Sequence, residues 1–224
     1  MSREIKIVSS VIAIVIAVVG LGLLLMQAEP TPPLPPEKAA NAEEALARTT
    51  PHVRGKLDST VTVIEFADME CPACAGVNSK LNQLVEEYGD RVKFIFRHFP
   101  LSQHQYALEA AMIVEASSRQ NKTWLTIDYL YEHQKEWVNG SGPLDYVLED
   151  NRLQNILGLE DSKFMSAMED RDGEALSRIK QDKADGEALG NPGTPTFYVN
   201  GEQVFNGGLA EVKQKIDKAL GTAQ

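Results

Sequence analysis

Two residues in this 224-residue chain could carry nucleophilic sulfur chemistry, Cys71 and Cys74, set apart by Pro72 and Ala73. Thiol-disulfide exchange needs a thiolate that attacks and a second thiol near enough to resolve the mixed disulfide. A Cys-x-x-Cys pair at the start of a helix supplies both. There, Cys71 would face unpaired N–H groups and the positive end of the helix dipole, which favour its anion. Cys74, about one turn further in, would be the more buried. Cys71 is therefore expected as nucleophile and Cys74 as resolver. The Cys71–Cys74 disulfide would itself be the redox group, with no organic cofactor. The loop between the two is too short to stabilise a fold through chain entropy, so the pair's value is chemical.

The competing reading of a lone Cys-x-x-Cys is half of a zinc site or a structural pair, and zinc would need further ligands. No other cysteine exists, and His52, His98, His104 and His133 show no His-x-x-x-His spacing. No His follows Cys74 directly, as haem attachment requires. Metal ligation is therefore not expected, and a copper-binding module stands as the alternative of a different class. A net charge of -10 argues against nucleic acid, whose phosphates call for a basic surface.

The elements around the pair are legible as a pattern. Val61 to Phe66 is a short β-branched run suited to a buried central strand, and it ends just before Cys71. Pro72 suits a first helical position. Leu81, Leu84, Val85 and Tyr88 recur at helical spacing until Gly89. Arg91 to Arg97 alternates as a second strand, so strand, helix and strand form a crossover unit with a parallel pair. Helical periodicity then runs through a region of about 101–190, broken at Gly140 to Pro143 and at Gly158. Strand signals return at Thr196 to Val199 and Gln203 to Phe205, joined by Asn200-Gly201, a strong hairpin turn signal. Leu209 to Leu220 closes the chain as an amphipathic helix. The expected class is α/β, with the cysteines at the carboxyl end of a strand, where open sheets place their sites. Pro195, in Gly193-Thr194-Pro195-Thr196, stands where it cannot donate to the following ladder.

Residues 1–56 read differently. Ile7 to Met26 is an uncharged run of twenty residues, long enough to cross a bilayer core of about 30 Å. Arg3 and Lys6 precede it and Glu29 follows, which predicts a cytoplasmic N-terminus at 1–6, a single span at 7–26 and everything downstream outside the cytoplasm. A cleaved signal peptide is the alternative and leaves the domain on the same side. Residues 27–56 are expected as a proline-rich stalk and a short linker helix, Lys38 to Arg48, with the folded domain at 57–224.

With the motif, the helical insert and the proline loop in place, the chain from about Leu57 resembles the DsbA-like branch of the thioredoxin superfamily. The residues that carry the likeness are Val63 to Phe66, Cys71 to Cys74, Gly193 to Phe197, and Arg97-His98-Phe99-Pro100-Leu101. The resemblance implies a thioredoxin-like fold with a helical insertion, preceded here by one transmembrane helix. It implies that Pro195 is a cis-proline facing the disulfide and that Thr194 presents its backbone to an extended substrate strand. It also implies that Glu65, six residues before Cys71, helps move protons during resolution. Physics allows the last point independently, because a carboxyl among Val63, Ile64 and Phe66 should have its pKa raised by desolvation.

Membership of that branch implies an oxidase that forms disulfides in exported cysteine-containing proteins and is reoxidised by a quinone-linked thiol oxidase in the membrane. A monomer is expected. A membrane-anchored reductase or isomerase is the main alternative, and a chaperone without redox chemistry a further one. Ala73 departs from the pattern: strongly oxidising members carry His there, whose charge stabilises the thiolate. Glu70 would disfavour the thiolate further if its carboxylate turned toward the sulfur. A milder oxidant is expected, with a potential between the thioredoxin and DsbA extremes.

Overall fold

In the computed structural model, residues 43–48, 50–169, 173–204 and 208–222 are described. The run 7–26 expected to span the membrane, and most of the expected stalk, lie outside them. Among the described residues no helix is long and apolar enough to cross a membrane.

Five strands form one sheet in the order β1-β3-β2-β4-β5: β1 (Val53–Arg54), β2 (Val61–Ala67), β3 (Val92–His98), β4 (Thr196–Val199) and β5 (Glu202–Val204). The chain leaves β2 through α1 (Pro72–Tyr88) and returns as β3, parallel to β2, with Glu65 opposite Phe96. All other pairings are antiparallel, and β4 sets Phe197 on the other side of Glu65. The hairpin from β4 to β5 turns at Asn200-Gly201, both at positive φ, as the sequence pattern requires. Asn200 ties the turn to β2 by accepting from the Thr62 amide at 2.8 Å.

Helix α1 begins at Pro72, whose missing N–H costs nothing at the first helical position, and ends at Gly89, where φ is +52°. Its Leu81, Leu84 and Tyr88 pack with Val61, Val63, Phe94, Phe197 and the closing helix α9 (Gly208–Ala219), through Val212 and Ile216. Each such aliphatic side chain contributes about 1.5–3 kcal/mol by leaving water.

Between β3 and β4 the described residues form seven α-helices. These are α2 (Ala107–Ser118), α3 (Thr123–Glu132), α4 (Gln134–Asn139), α5 (Pro143–Leu148), α6 (Arg152–Asn155), α7 (Asp161–Glu169) and α8 (Glu174–Ala188). This is the expected helical insertion. Its apolar centre, around Trp137, Ile113, Leu130 and Phe164, is continuous with Ala67, Phe96 and both cysteines, so the insert and the sheet share one core at the cysteine end.

Described residues before the expected boundary at Leu57 also pack against the domain. Residues 43–47 form a helical turn, with Ala45 buried. Arg48 bonds Asp185 and Asp182 of α8, which Arg97 of β3 also reaches. His52 is fully buried, and β1 pairs with β3. The sequence hid this because a two-residue strand has no period and the ion pairs reach across more than a hundred residues.

Candidate active site

Cys71 is the N-cap of α1 and Cys74 lies in its first turn; both are free thiols. Cys71 is 6% exposed and Cys74 0%, the order expected of an attacking and a resolving thiol. Neighbouring Pro72 and Ala73 are exposed at the helix start. The Thr194-Pro195 bond is cis, and the Cys71 thiol donates to the Thr194 carbonyl at 3.3 Å. The loop before β4 therefore faces Cys71.

The electrostatics separate the two sulfurs. Cys71 is lowered from 9.0 to about 5, chiefly because the Cys74 thiol donates to its anion. Burial opposes this, and Thr194 and the amides of Cys74 and Ala73 assist. The Thr194 hydroxyl is buried without a partner while Cys71 is a thiol, which leaves it free to turn to the thiolate. Cys74 is pushed far up, first by burial and then by its role as donor to Cys71, so it stays neutral in the dithiol form.

Glu65 lies on β2 beneath the cysteines, 6% exposed, and is raised from 4.5 to about 8. Burial is the main cause, the Cys71 charge adds to it, and Arg54 pulls the other way. The carboxyl lines a cavity of about 10 Å³ together with Arg54, Asn78 and Asn82, the rest of the wall being largely apolar.

The geometry also recruits residues that sequence reasoning missed. Asp68 organises the turn into Cys71. Its carboxylate accepts from the Glu70 amide at 2.8 Å, the Leu101 amide at 2.8 Å and the His104 ring at 2.7 Å, and its carbonyl accepts from the Cys71 amide at 3.1 Å. An Asp bonding the amide two residues on is an Asx turn, and Asp68-Met69-Glu70 was a readable signal for one. Gln134 of α4 donates to the carbonyls of Met69 at 2.8 Å and Cys71 at 3.0 Å, and Tyr131 of α3 donates to the Asp68 carbonyl at 3.3 Å. Nothing local in the sequence marks these two. Glu70 bonds the Tyr106 amide, which gives its carboxylate a partner on the insert.

One group of possible metal ligands appears among the described residues, His52, His98 and Glu115, with ligand atoms within 4.8 Å of one another. All three are buried, and both imidazole Nε2 atoms already bond Glu115 Oε1, at 2.7 and 3.1 Å. Arg178 takes the other oxygen at 2.5 Å, so an adjacent cation opposes a metal ion there. Burial lowers His52 despite the bond to Glu115. The cluster reads as a polar tie between β3, α2 and α8, with His52 Nδ1 buried and without a hydrogen-bond partner.

Comparison with known proteins gives three results. The family described as thioredoxin matches residues 47–218. Among solved structures, the thiol-disulfide exchange protein alpha-DsbA2 from Wolbachia pipientis has a TM-score of 0.67 at 20% identity, covering 81% of this chain and 94% of that one. Oxidised BdbD from Bacillus subtilis has a TM-score of 0.62 at 26% identity, covering 76% and 92%. Among curated relatives, the Na(+)/H(+) antiporter NhaA 3 of Salinispora tropica is 37% identical over 153 residues, 68% of this chain and 22% of the antiporter. The chain spans about a fifth of the length of the curated relatives it matches.

Proposed function

The chain belongs to the thioredoxin family, with a DsbA-type helical insertion, and from that premise we propose that it is an extracytoplasmic oxidase that passes the Cys71–Cys74 disulfide to exported proteins. Its activity is that of a thiol-disulfide oxidoreductase. A client thiolate attacks Cys71 Sγ, the Cys71–Cys74 bond breaks, and Cys74 leaves as a thiolate that takes a proton. A second client thiolate then attacks the client sulfur of the mixed disulfide, expelling Cys71 as a thiolate and leaving the client oxidised and the enzyme reduced.

The observation that carries this reading is the asymmetry of the two sulfurs. Cys71 ionises near 5 and is a good leaving group, whereas Cys74 is fully buried and held neutral. The Thr194 carbonyl, which Cys71 meets in the dithiol form, is the acceptor we assign to an extended client backbone. Glu65 accepts or returns the Cys74 proton. While Cys71 is held in a mixed disulfide its negative charge is absent, so one cause of the raised Glu65 pKa is gone at the stage of reoxidation where the Cys74 thiol must lose its proton.

Reoxidation is assigned to a quinone-linked thiol oxidase in the membrane, to which the apolar run at 7–26 would tether the domain. The reductase or isomerase reading draws on Ala73, which supplies no cation to the thiolate. Rapid alkylation of the pair in intact cells separates the two. A pair found mostly as the disulfide is the expected result, and a pair found mostly as the dithiol overturns the oxidase assignment. Cys74→Ala should accumulate mixed disulfides with exported proteins while Cys71→Ala should not.

A further inference from the structure

Glu65 exchanges its proton beneath the sheet-side core, and a buried acid can turn over only if that proton reaches water. Its cavity, at about 10 Å³, has about the room that one water needs, and Glu65, Arg54, Asn78 and Asn82 are the polar residues of an otherwise largely apolar wall. Asn78 and Asn82 lie one turn apart on α1 and so share a face. Their outer side lines a second space, a groove of about 500 Å³ between α1 and α3 that also touches Asp128, Glu86 and Glu132. Asn78 and Asn82 therefore line both the inner cavity and the groove.

The two amides converge on one carboxylate. Asn78 and Asn82 both donate to Asp128 Oδ1, at 2.9 and 2.8 Å. Arg54 donates to Asp128 Oδ2 at 2.9 Å and to the Asn82 amide oxygen, with its guanidinium over the Trp124 ring. Asp128 is 34% exposed and Arg54 19%, so the carboxylate stands at the mouth while the guanidinium reaches inward to influence Glu65. Arg54 keeps its proton at every relevant pH and can only bias the path. Asp128 has the chemistry to take a proton and the exposure to release it.

From this geometry we infer that Asp128 is the solvent-side outlet of the Glu65 proton, with Asn78, Asn82 and Arg54 holding the water that connects the two carboxylates. The inference rests on the reading of Glu65 as the proton acceptor in resolution. When the reduced enzyme reacts with a disulfide, the Cys74 thiol attacks Cys71 of the mixed disulfide. The Cys71–Cys74 bond forms and the substrate leaves as a thiolate. The Cys74 proton passes to the Glu65 carboxylate, then through water to the Asp128 carboxylate and to bulk solvent. No external oxidant beyond the substrate disulfide is required.

The test uses the reduced full chain and oxidised glutathione at saturating concentration, where the resolving attack limits the rate. General-base assistance is worth about 10²–10⁴-fold, and loss of the outlet should remove part of it. Asp128→Asn is expected to slow the plateau rate about tenfold at neutral pH, with a larger solvent deuterium isotope effect. Imidazole, small enough for the groove, should restore it, and Asp128→Glu should stay within about twofold of the parent. A plateau unchanged by Asp128→Asn overturns the outlet. So does a loss that imidazole fails to repair or that Asp128→Glu shares, because a structural tie alone then explains the carboxylate. A Glu65→Gln arm keeps the two ideas apart. If Glu65→Gln is slow while Asp128→Asn is normal, only the outlet falls. If Glu65→Gln keeps the parental rate and pH profile, the Glu65 reading itself falls.

Discussion

Replacing Glu65 by Gln should change the pH dependence of stability in a way that isolates one buried carboxyl. Glu65 is raised from 4.5 to about 8, chiefly by burial. In the folded protein it holds its proton over a range where the unfolded chain has lost it. Its contribution to stability is therefore fully present below about 4.5 and is lost as pH rises toward about 8. The slope is about 1.4 kcal/mol per pH unit, or about 4 kcal/mol across three units. Gln cannot ionise, so the stability of Glu65→Gln relative to the parent should rise by that slope between pH 5 and pH 8. Contributions from Cys71 and other groups common to both proteins largely cancel in the difference. Any cost of burying the amide is independent of pH, so the slope is the test and the offset is not. Urea unfolding of the dithiol form of both proteins at several pH values measures it. In the disulfide form the Cys71 charge is absent, so the rise should level off at lower pH. A difference that stays flat from pH 5 to 8 in the dithiol form would refute the desolvated carboxyl and the proton role built on it.

Thr194→Val should move the Cys71 titration upward from about 5, because the hydroxyl that assists the thiolate is lost. A hydrogen bond to a charged group is worth about 1.5–3 kcal/mol, or about one to two pH units, and Thr194→Ser should retain it. Thiolate absorbance against pH reads the midpoint, and an unmoved midpoint in Thr194→Val removes the hydroxyl from the account. Gln134→Leu should destabilise the protein by about 1–3 kcal/mol in denaturant unfolding, since the Met69 and Cys71 carbonyls both lose a buried donor. If stability and the Cys71 titration are both unchanged, the insert does not hold the cysteine loop.

The sheet, the crossover helix and the hairpin were legible because their signals are local. Val61 to Phe66 and Arg91 to Arg97 carry strand composition, Pro72 and Gly89 bracket a helix, and Asn200-Gly201 sets a turn. The site was legible to the extent that its residues lie in the motif or in the loop before β4. Resemblance supplied the relation between Cys71 and Thr194-Pro195, since no spacing rule connects residues more than a hundred positions apart. What escaped was the set of polar side chains that hold the motif from outside it. Asp68, Tyr131, Gln134, Arg54 and Asp128 are ordinary surface-type residues by composition. Their roles arise only when the insert folds back on the strand-to-helix turn. His52 escaped for the same reason: its burial depends on β1, whose two residues carry no period.

Ala73 bears on the direction of exchange, and the structure reframes its effect. A side-chain cation at that position is only one way to stabilise a thiolate. Here the position is exposed alanine, yet Cys71 still titrates near 5, through the Cys74 thiol, the Thr194 hydroxyl and amides at the helix start. The largest of these donors exists only in the dithiol form, because the Cys74 proton is gone once the disulfide closes. Burial, which keeps Cys74 neutral, thus preserves the donor that stabilises its partner. An interaction confined to the dithiol lowers its free energy relative to the disulfide and raises the reduction potential. The absence of a charged side chain between Pro72 and Cys74 therefore trims the oxidising power without removing its principal source.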